Sequence, residues 1–175
     1  MALGFGARIL TVAEPRAPLP SATGTSGGTT KLPARVLLVE DVAATQRLYA
    51  LYLKRAGAET DTADNGRIAV ERVTESMRDA RPYDLVLMDM QMPVLDGYSA
   101  AKELRELGYR GPIIAVTAHA LAGDRDKCLA AGCDDYIAKP TDREHLVKTC
   151  LAWLAKSIPP ALPSSAESES RAELA

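Results

Sequence analysis

The sequence predicts an α/β domain of the (βα)5 class, in which a doubly wound parallel sheet lies between layers of helices. Four short apolar runs and one weaker strand-like segment recur along the chain, and a segment with helical periodicity follows each of them. Several of these runs are continuously apolar, and such runs are typical of strands that are buried on both faces. Strands that alternate with helices in this way pair in parallel, because each helix carries the chain back to the starting edge of the sheet.

The first two strand–helix units begin at residues 36 and 59. Residues 36–39 (VLLV) form a continuous apolar strand, and the following helix is predicted over 43–56, with Gly57 as its stop. Apolar residues at helical spacing should face the core from this helix: Leu48, Leu51 and Tyr52.

In the second unit, residues 59–63 predict a weaker strand, and residues 66–80 predict a helix. The inward stripe of this second helix should contain Ala69, Val70, Val73 and Met77.

The next units follow the same pattern. Residues 85–88 (LVLM) predict the third strand and 98–107 its helix. The apolar stripe of that helix comprises Ala100, Leu104 and Leu107. Residues 113–116 (IIAV) predict the fourth strand, and the helix after it, 121–131, is only weakly amphipathic.

The fifth unit closes the domain. Residues 136–138 predict a short strand. The sequence from Thr141 to Glu144 is typical of a capping box, in which Thr141 is the N-cap of the last helix. That helix should direct four apolar side chains inward: Leu146, Cys150, Trp153 and Leu154.

Polar segments flank this domain, which should span residues 34–158. Residues 1–33 include a linker rich in Pro, Gly, Ser and Thr, and residues 159–175 form a tail rich in Pro, Ser and Glu that is expected to be disordered. Residues 21–30 (SATGTSGGTT) look like a phosphate-binding loop. Prolines surround them, rather than the strand and helix that such a loop requires, so the linker interpretation is favoured.

Charge and cysteine content narrow the possible roles. With 21 Lys and Arg against 23 Asp and Glu, the net charge is −2, so we expect no direct binding to nucleic acid or to an anionic membrane. No apolar run approaches the roughly 20 residues that span a bilayer, and the N-terminus lacks the features of a secretory signal. The three cysteines form no C-x-x-C pair and fit small buried side chains in a reducing cytoplasm, where we expect the protein to act.

Polar residues follow or end four of the predicted strands. Right-handed crossovers favour the flavodoxin-like strand order 2-1-3-4-5, whose ligands bind at the carboxyl ends of the strands, beside the switch point between strands 1 and 3. The residues at these ends are Glu40, Asp41, Asp89, Thr117 and Lys139. Because the ends of parallel strands meet at one edge, we expect these side chains to form one cluster.

Three carboxylates in one cluster point to a bound cation. They would raise one another's pKa unless a positive charge neutralised them. Mg²⁺ suits one to three carboxylates together with waters and a phosphate oxygen. Asp41 also fits the alternative role of a helix N-cap.

Four sequence blocks resemble the signature blocks of response-regulator receiver domains. They are VLLVEDVAATQRL, DLVLMDMQMPVLDG, IIAVTAHA and DDYIAKP, and they occur in the family's order and spacing over about residues 35–157. The Met-Gln-Met-Pro that follows Asp89 resembles in particular the receiver domains fused to hybrid sensor histidine kinases. Many receiver domains have two Asp residues where this chain has Glu40 and Asp41, and a Glu still supplies a carboxylate.

The resemblance implies a role for each site residue. Asp89 would be the phosphoacceptor, and Mg²⁺ would be held by Glu40, Asp41, Asp89 and the backbone carbonyl of Gln91. Thr117 would donate a hydrogen bond to the phosphoryl group, and Lys139 would form an ion pair with it.

The resemblance also implies a switch and a cis peptide bond. Phosphorylation would move Thr117, and Tyr136 would turn into the vacated space; the alternative for Tyr136 is an aromatic side chain half buried at a strand end. Gln91 and His119 occupy positions that tune phosphoryl lifetime, although a solvent-facing loop residue is the favoured interpretation of His119. The peptide bond before Pro140 would be cis.

The function implied is that of a phosphorelay receiver, rather than a conventional enzyme. A phosphohistidine on a histidine kinase or a histidine phosphotransfer protein would donate to Asp89, and the domain would catalyse its own phosphorylation and dephosphorylation. No DNA-binding output domain is predicted, so the chain would be a single-domain regulator or the receiver part of a hybrid kinase, with kinase activity only in the latter case. The sequence predicts no oligomeric state.

Three rival functions compete with this interpretation. A flavodoxin needs a phosphate loop rich in hydroxyl and Gly residues after the first strand, where this chain has the acidic Glu40 and Asp41. A phosphatase of the haloacid dehalogenase type needs an Asp-x-Asp after its first strand, whereas Asp89 follows the third. The remaining alternative is a degenerate, unphosphorylated receiver that acts as a protein-interaction scaffold.

Overall fold

Strands and helices alternate along the part of the chain that the structure describes. The computed structural model describes residues 31–118 and 122–157. Within them lie five strands and five helices: β1 Arg35–Val39, α1 Ala43–Arg55, β2 Glu59–Ala63, α2 Gly66–Arg78, β3 Leu85–Asp89, α3 Gly97–Glu106, β4 Ile113–Thr117, α4 Ala122–Ala130, β5 Asp135–Ala138 and α5 Arg143–Ser157. None of the helices in these residues is long and apolar enough to cross a membrane.

The five strands form one parallel sheet in the order β2-β1-β3-β4-β5, which confirms the predicted topology. The register aligns the strands at their carboxyl ends. Val39 pairs with Ala63 and with Met88, and Thr117 pairs with Ala138. The residues that end or directly follow β1, β3, β4 and β5 therefore meet at one edge.

Two apolar layers cover the sheet because successive strand residues point to opposite faces. One layer joins Leu37 and Val39 of β1 to apolar residues of α2, α3 and α4. The other joins Val36 and Leu38 to apolar residues of α1 and α5. With helices on both faces, the central strands are buried throughout, as the continuous apolar runs predict.

Helix α1 has a different inward face from the predicted one. Leu48 and Leu51 are 42% and 43% exposed, whereas Tyr49 and Leu53 are buried against the sheet. Both pairs have helical spacing, so periodicity alone does not decide between the two faces. The predicted stop is confirmed, because Gly57, with φ +95°, directly follows the C-cap Ala56.

The end of α3 also departs from the prediction. The helix ends at Glu106, so Leu107 is its C-cap and lies half exposed, not in the apolar stripe. Tyr109 takes the buried position instead. Its N–H donates to the carbonyl of Leu104, and its hydroxyl donates to the carbonyl of Tyr83.

The first turn of α5 is capped by Asp142, and the predicted capping box at Thr141 is wrong. The carboxylate of Asp142 accepts a hydrogen bond of 2.8 Å from the N–H of His145, three residues on. The helix itself starts at Arg143. Two neighbouring residues can both act as N-caps, and here the ionisable one does.

Leu32 packs in the layer with α1 and α5, although the sequence places it in the linker. It is fully buried, and its N–H donates to the carbonyl of Ala56 at 2.6 Å. The apolar layer therefore recruits a residue that precedes β1.

Candidate functional site

Three carboxylates converge at the carboxyl edge of the sheet. Glu40 directly follows β1, Asp41 comes next, and Asp89 is the last residue of β3. One oxygen from each of the three lies within 4.8 Å of the others. Glu40 and Asp89 are buried, with Glu40 only 1% exposed, whereas Asp41 is open to solvent. Glu40, Asp41 and Asp89 form the acid cluster.

Lys139 joins the acid cluster from the end of β5. Its ammonium lies 2.6 Å from Oε2 of Glu40 and 2.7 Å from Oδ2 of Asp89. Burial would lower the pKa of Lys139, but the hydrogen bonds to Asp89 and Glu40 outweigh burial and raise it, so the ammonium keeps its charge. Burial raises the pKa of Glu40, and the interaction with Lys139 only partly offsets that effect. The peptide bond between Lys139 and Pro140 is cis, as the resemblance implies.

The other predicted site residues lie around this cluster. Thr117 ends β4, is buried, and its carbonyl accepts a hydrogen bond of 2.7 Å from the N–H of Lys139. The N–H of Gln91 donates to Oδ1 of Asp89 at 3.0 Å. Tyr136 is half buried in β5 and packs against the layer with α2, α3 and α4. His119 lies outside the described residues.

Gln46, in the first turn of α1, is a residue that the sequence reasoning missed. Its side-chain amide donates to the carbonyl of Glu40 at 2.9 Å and to Oδ1 of Asp64 at 2.8 Å, and it lies 3.4 Å from the carbonyl of Ala63. The N–H of Glu40 donates to that same Ala63 carbonyl. Gln46 thus ties the turn that bears the acid cluster to the end of β2. Only its position five residues after Asp41 could have drawn attention to it.

Gly97, the first residue of α3, packs directly against the backbone of Asp89. A Cβ at this position would collide with the Asp89 carbonyl oxygen and would lie 2.8 Å from Cα of Met90. The N–H of Gly97 donates to the carbonyl of Met90 at 3.2 Å. The absence of a side chain therefore lets the start of α3 approach the end of β3, which positions Asp89.

The donor set fits Mg²⁺. The acid cluster offers hard oxygen ligands close enough together to share one ion. Asp41 is open to solvent, so water can complete an octahedral shell. Lys139 supplies one positive charge beside three carboxylates and pairs with two of them, Glu40 and Asp89, and a divalent ion would balance the remaining negative charge.

Comparisons with known proteins identify the family of this chain. Residues 36–151 match the family model of the response regulator receiver domain. The chain is 46% identical over 114 residues to the two-component response regulator ORR41 of Oryza sativa subsp. japonica, an alignment that covers 64% of this chain and 87% of that regulator. It is 39% identical over 125 residues to the signal transduction histidine-protein kinase BarA of Escherichia coli K12, where it covers 70% of this chain but only 13% of the kinase.

A solved structure of a receiver domain is also similar to this chain. The receiver domain of a sensor histidine kinase from Pseudomonas aeruginosa PAO1 is 42% identical, with a TM-score of 0.63, and the match covers 70% of this chain and 98% of that domain. That crystal structure has a magnesium ion coordinated in its active-site cleft. The family model and the regulator matched over most of its length show that this chain belongs to the response regulator receiver domains of two-component signalling.

Proposed function

We propose that this receiver domain accepts a phosphoryl group on Asp89, with Mg²⁺, from a phosphohistidine on a histidine kinase or a histidine phosphotransfer protein. The observation that carries the proposal is the position of Asp89, which shares one site with two further carboxylates and with the Lys139 ammonium. Two comparisons support this proposal. One relative, BarA, is a histidine-protein kinase, and the similar Pseudomonas domain binds magnesium in its active-site cleft. Within the chain, residues 34–158 would form the receiver domain.

The transfer is a displacement at phosphorus. A carboxylate oxygen of Asp89 forms the new O–P bond while the N–P bond to the donor imidazole breaks, and the imidazole nitrogen keeps the electron pair. Such a transition state is loose, so positioning and charge neutralisation supply most of the catalysis. When bound, Mg²⁺ would neutralise phosphoryl oxygens, and Glu40, Asp41, Asp89 and the carbonyl of Gln91 would hold it.

Two further side chains would act on the phosphoryl group. The Lys139 ammonium, 2.7 Å from Asp89, would pair with a phosphoryl oxygen as a point charge. The Thr117 hydroxyl would donate a hydrogen bond to another oxygen. The phosphoryl group adds roughly −1.5 to −2 charge, and the movement of Thr117 toward it would let Tyr136 turn inward and change the surface that a partner contacts. We also propose a cytoplasmic location, because all three cysteines are buried free thiols.

The test is phosphorylation of the full chain by acetyl phosphate in the presence of MgCl₂, followed by intact-mass measurement. We expect a mass gain of one phosphoryl group that EDTA prevents. Asp89→Asn should abolish the gain, whereas Asp126→Asn, at an exposed position on α4, should retain it. No gain in the wild type, with acetyl phosphate or with a phosphorylated partner, would instead favour the unphosphorylated scaffold.

A further inference from the structure

Both oxygens of the Glu40 carboxylate already have partners. Oε2 accepts a hydrogen bond of 2.6 Å from the Lys139 ammonium, and Oε1 accepts one of 3.3 Å from the N–H of Val42. The side chain is almost completely buried, so solvent does little to screen its interaction with Lys139. A cation that uses Glu40 must therefore share or displace one of these partners.

We propose that Glu40 sets the Mg²⁺ affinity of this site, because its ion pair with Lys139 competes with the cation for the same carboxylate. The inference rests on the proposed function, which makes Glu40 and Asp89 ligands of Mg²⁺. An ammonium and a divalent cation on one carboxylate repel each other, and this repulsion is strong where the surroundings are buried. Binding of the cation thus weakens the bond between Lys139 and Glu40.

The length of the Glu40 side chain matters to this competition. Glu has one methylene more than Asp, and the longer side chain reaches the ammonium at the end of β5, on the far side of β3 and β4 in the sheet. A shorter carboxylate at the same backbone position would remain beside Asp41 but would lose reach toward Lys139. Among the contacts of the described residues, release from Glu40 would leave Lys139 paired with Asp89.

The test is a double-mutant cycle read out by Mg²⁺ affinity. The wild type, Lys139→Gln, Glu40→Asp and the double variant are titrated with MgCl₂ while the backbone amide of Gln91 is followed by NMR. In the wild-type background, Lys139→Gln should tighten Mg²⁺ binding about tenfold, because both the competition and the general repulsion are removed. In the Glu40→Asp background the same change should tighten binding only about threefold, because the competition at Glu40 is already lost and only the pairing with Asp89 and the general repulsion remain.

A control separates this coupling from loss of charge as such. Lys127→Gln removes a Lys from α4 that pairs with Asp124, and it should change Mg²⁺ affinity less than about twofold. An equal effect of Lys139→Gln in both backgrounds would overturn the inference, since Lys139 would then act on the cation through Asp89 or through its charge alone, and not through Glu40. If Lys139→Gln does not fold, Lys139→Met, which keeps the aliphatic stem without the charge, takes its place in the cycle.

The failure of this inference is distinguishable from failure of the proposed function. A wild type that binds Mg²⁺ with the expected coupling but gains no phosphoryl mass supports the competition and contradicts the relay. A wild type that gains the phosphoryl mass but shows no coupling supports the relay and contradicts the competition. A wild type with no saturable Mg²⁺ binding overturns the inference.

Discussion

At the scale of single residues, the amide of Gln46 connects the acid cluster to the neighbouring strand. Its nitrogen contacts the carbonyls of Glu40 and Ala63 and the carboxylate of Asp64. Acceptors surround this nitrogen, so an amide is suited to the position and a carboxylate is not. Gln46 touches none of the reacting atoms and would act as a positioning residue for the turn that bears Glu40 and Asp41.

We expect Gln46→Ala to weaken Mg²⁺ binding about fivefold, which corresponds to the roughly 1 kcal/mol of a lost hydrogen bond. Gln46→Glu should weaken it further, because the new carboxylate would face two carbonyls and Asp64. Asp64→Asn should partly restore affinity in the Gln46→Glu background, since it removes the like charge. The measurement is the NMR titration with MgCl₂, run beside thermal unfolding. A lower melting temperature with unchanged Mg²⁺ affinity would show that Gln46 supports only the fold.

The residue types of the site could be predicted from the sequence, but their contacts could not. Glu40, Asp89, Thr117 and Lys139 each end or follow an apolar strand run, and the parallel topology brings such ends together. The distance from Lys139 to Glu40 depends on side-chain length and on the rotamers at the edge of the sheet. The role of Gly97 depends on a close approach of α3 to β3, which is a property of packing and leaves no periodic signal in the sequence.

At the scale of elements, strands were predicted more securely than helix faces. The buried strands carry continuous apolar runs, so both of their faces are apolar and no choice between faces is needed. Helix α1 carries two apolar pairs at helical spacing, Tyr49 with Leu53 and Leu48 with Leu51. Contact with the sheet and with α5 decides between them, and that contact lies outside the helix's own sequence.

The N-cap of α5 can be tested by substitution of Asp142 and Thr141. Asp142→Ala should destabilise the domain by about 1 kcal/mol, because the N–H of His145 loses its acceptor in the first turn. Thr141→Ala should lower the stability clearly less, because Thr141 lies outside the helix. Its hydroxyl makes only a long hydrogen bond, 3.4 Å, to the carbonyl of Asp142. Urea unfolding of both variants measures the difference. An equal loss of unfolding free energy in the two variants would indicate that Thr141 also caps the helix.

Asp61, in the edge strand β2, contacts β1 and the segment that precedes β3. Its Oδ2 accepts hydrogen bonds from Arg35 of β1 at 2.9 Å and from the hydroxyl of Tyr83, just before β3, at 2.8 Å. Partial burial opposes ionisation of Asp61, but the hydrogen bonds from Tyr83 and Arg35 outweigh it and lower its pKa below the ordinary value of 3.8. The carboxylate is therefore favoured in the folded protein.

This shift predicts a pH dependence of stability. Because the folded pKa is lower than the unfolded one, the contribution is fully present above about pH 4 and is lost as the pH falls through the folded value. Asp61→Asn should lower the free energy of unfolding at pH 7 by up to about 1 kcal/mol, a modest amount because the side chain is a third exposed. The difference from wild type should shrink toward pH 3 in urea unfolding. Asp126→Asn, at an exposed position on α4, serves as control, and a difference independent of pH would contradict the assignment.

At the scale of the whole molecule, a well-packed sheet positions the acid cluster, whose negative charges repel one another. Two apolar layers fix the sheet from both faces, and the sheet fixes the strand ends. Glu40 and Asp89 are buried at that edge with one ammonium between them. Burial of unequal charge opposes folding, so the site costs stability that a bound cation can restore. If the acid cluster binds Mg²⁺ as proposed, metal binding and global stability are linked.

The linkage gives a prediction for the intact chain. A ligand that binds only the folded state at ten times its Kd stabilises that state by about 1.4 kcal/mol, which for a domain of this size is a rise of roughly 5 °C in Tm. We expect MgCl₂ to produce such a rise in the wild type, and EDTA to reverse it. Asp41→Asn should abolish the rise while leaving the metal-free Tm close to that of the wild type, because Asp41 is exposed and removal of its charge disturbs little packing. Asp126→Asn should keep the rise. A similar rise in Asp41→Asn would mean that Mg²⁺ acts as a general salt and that the acid cluster does not bind it.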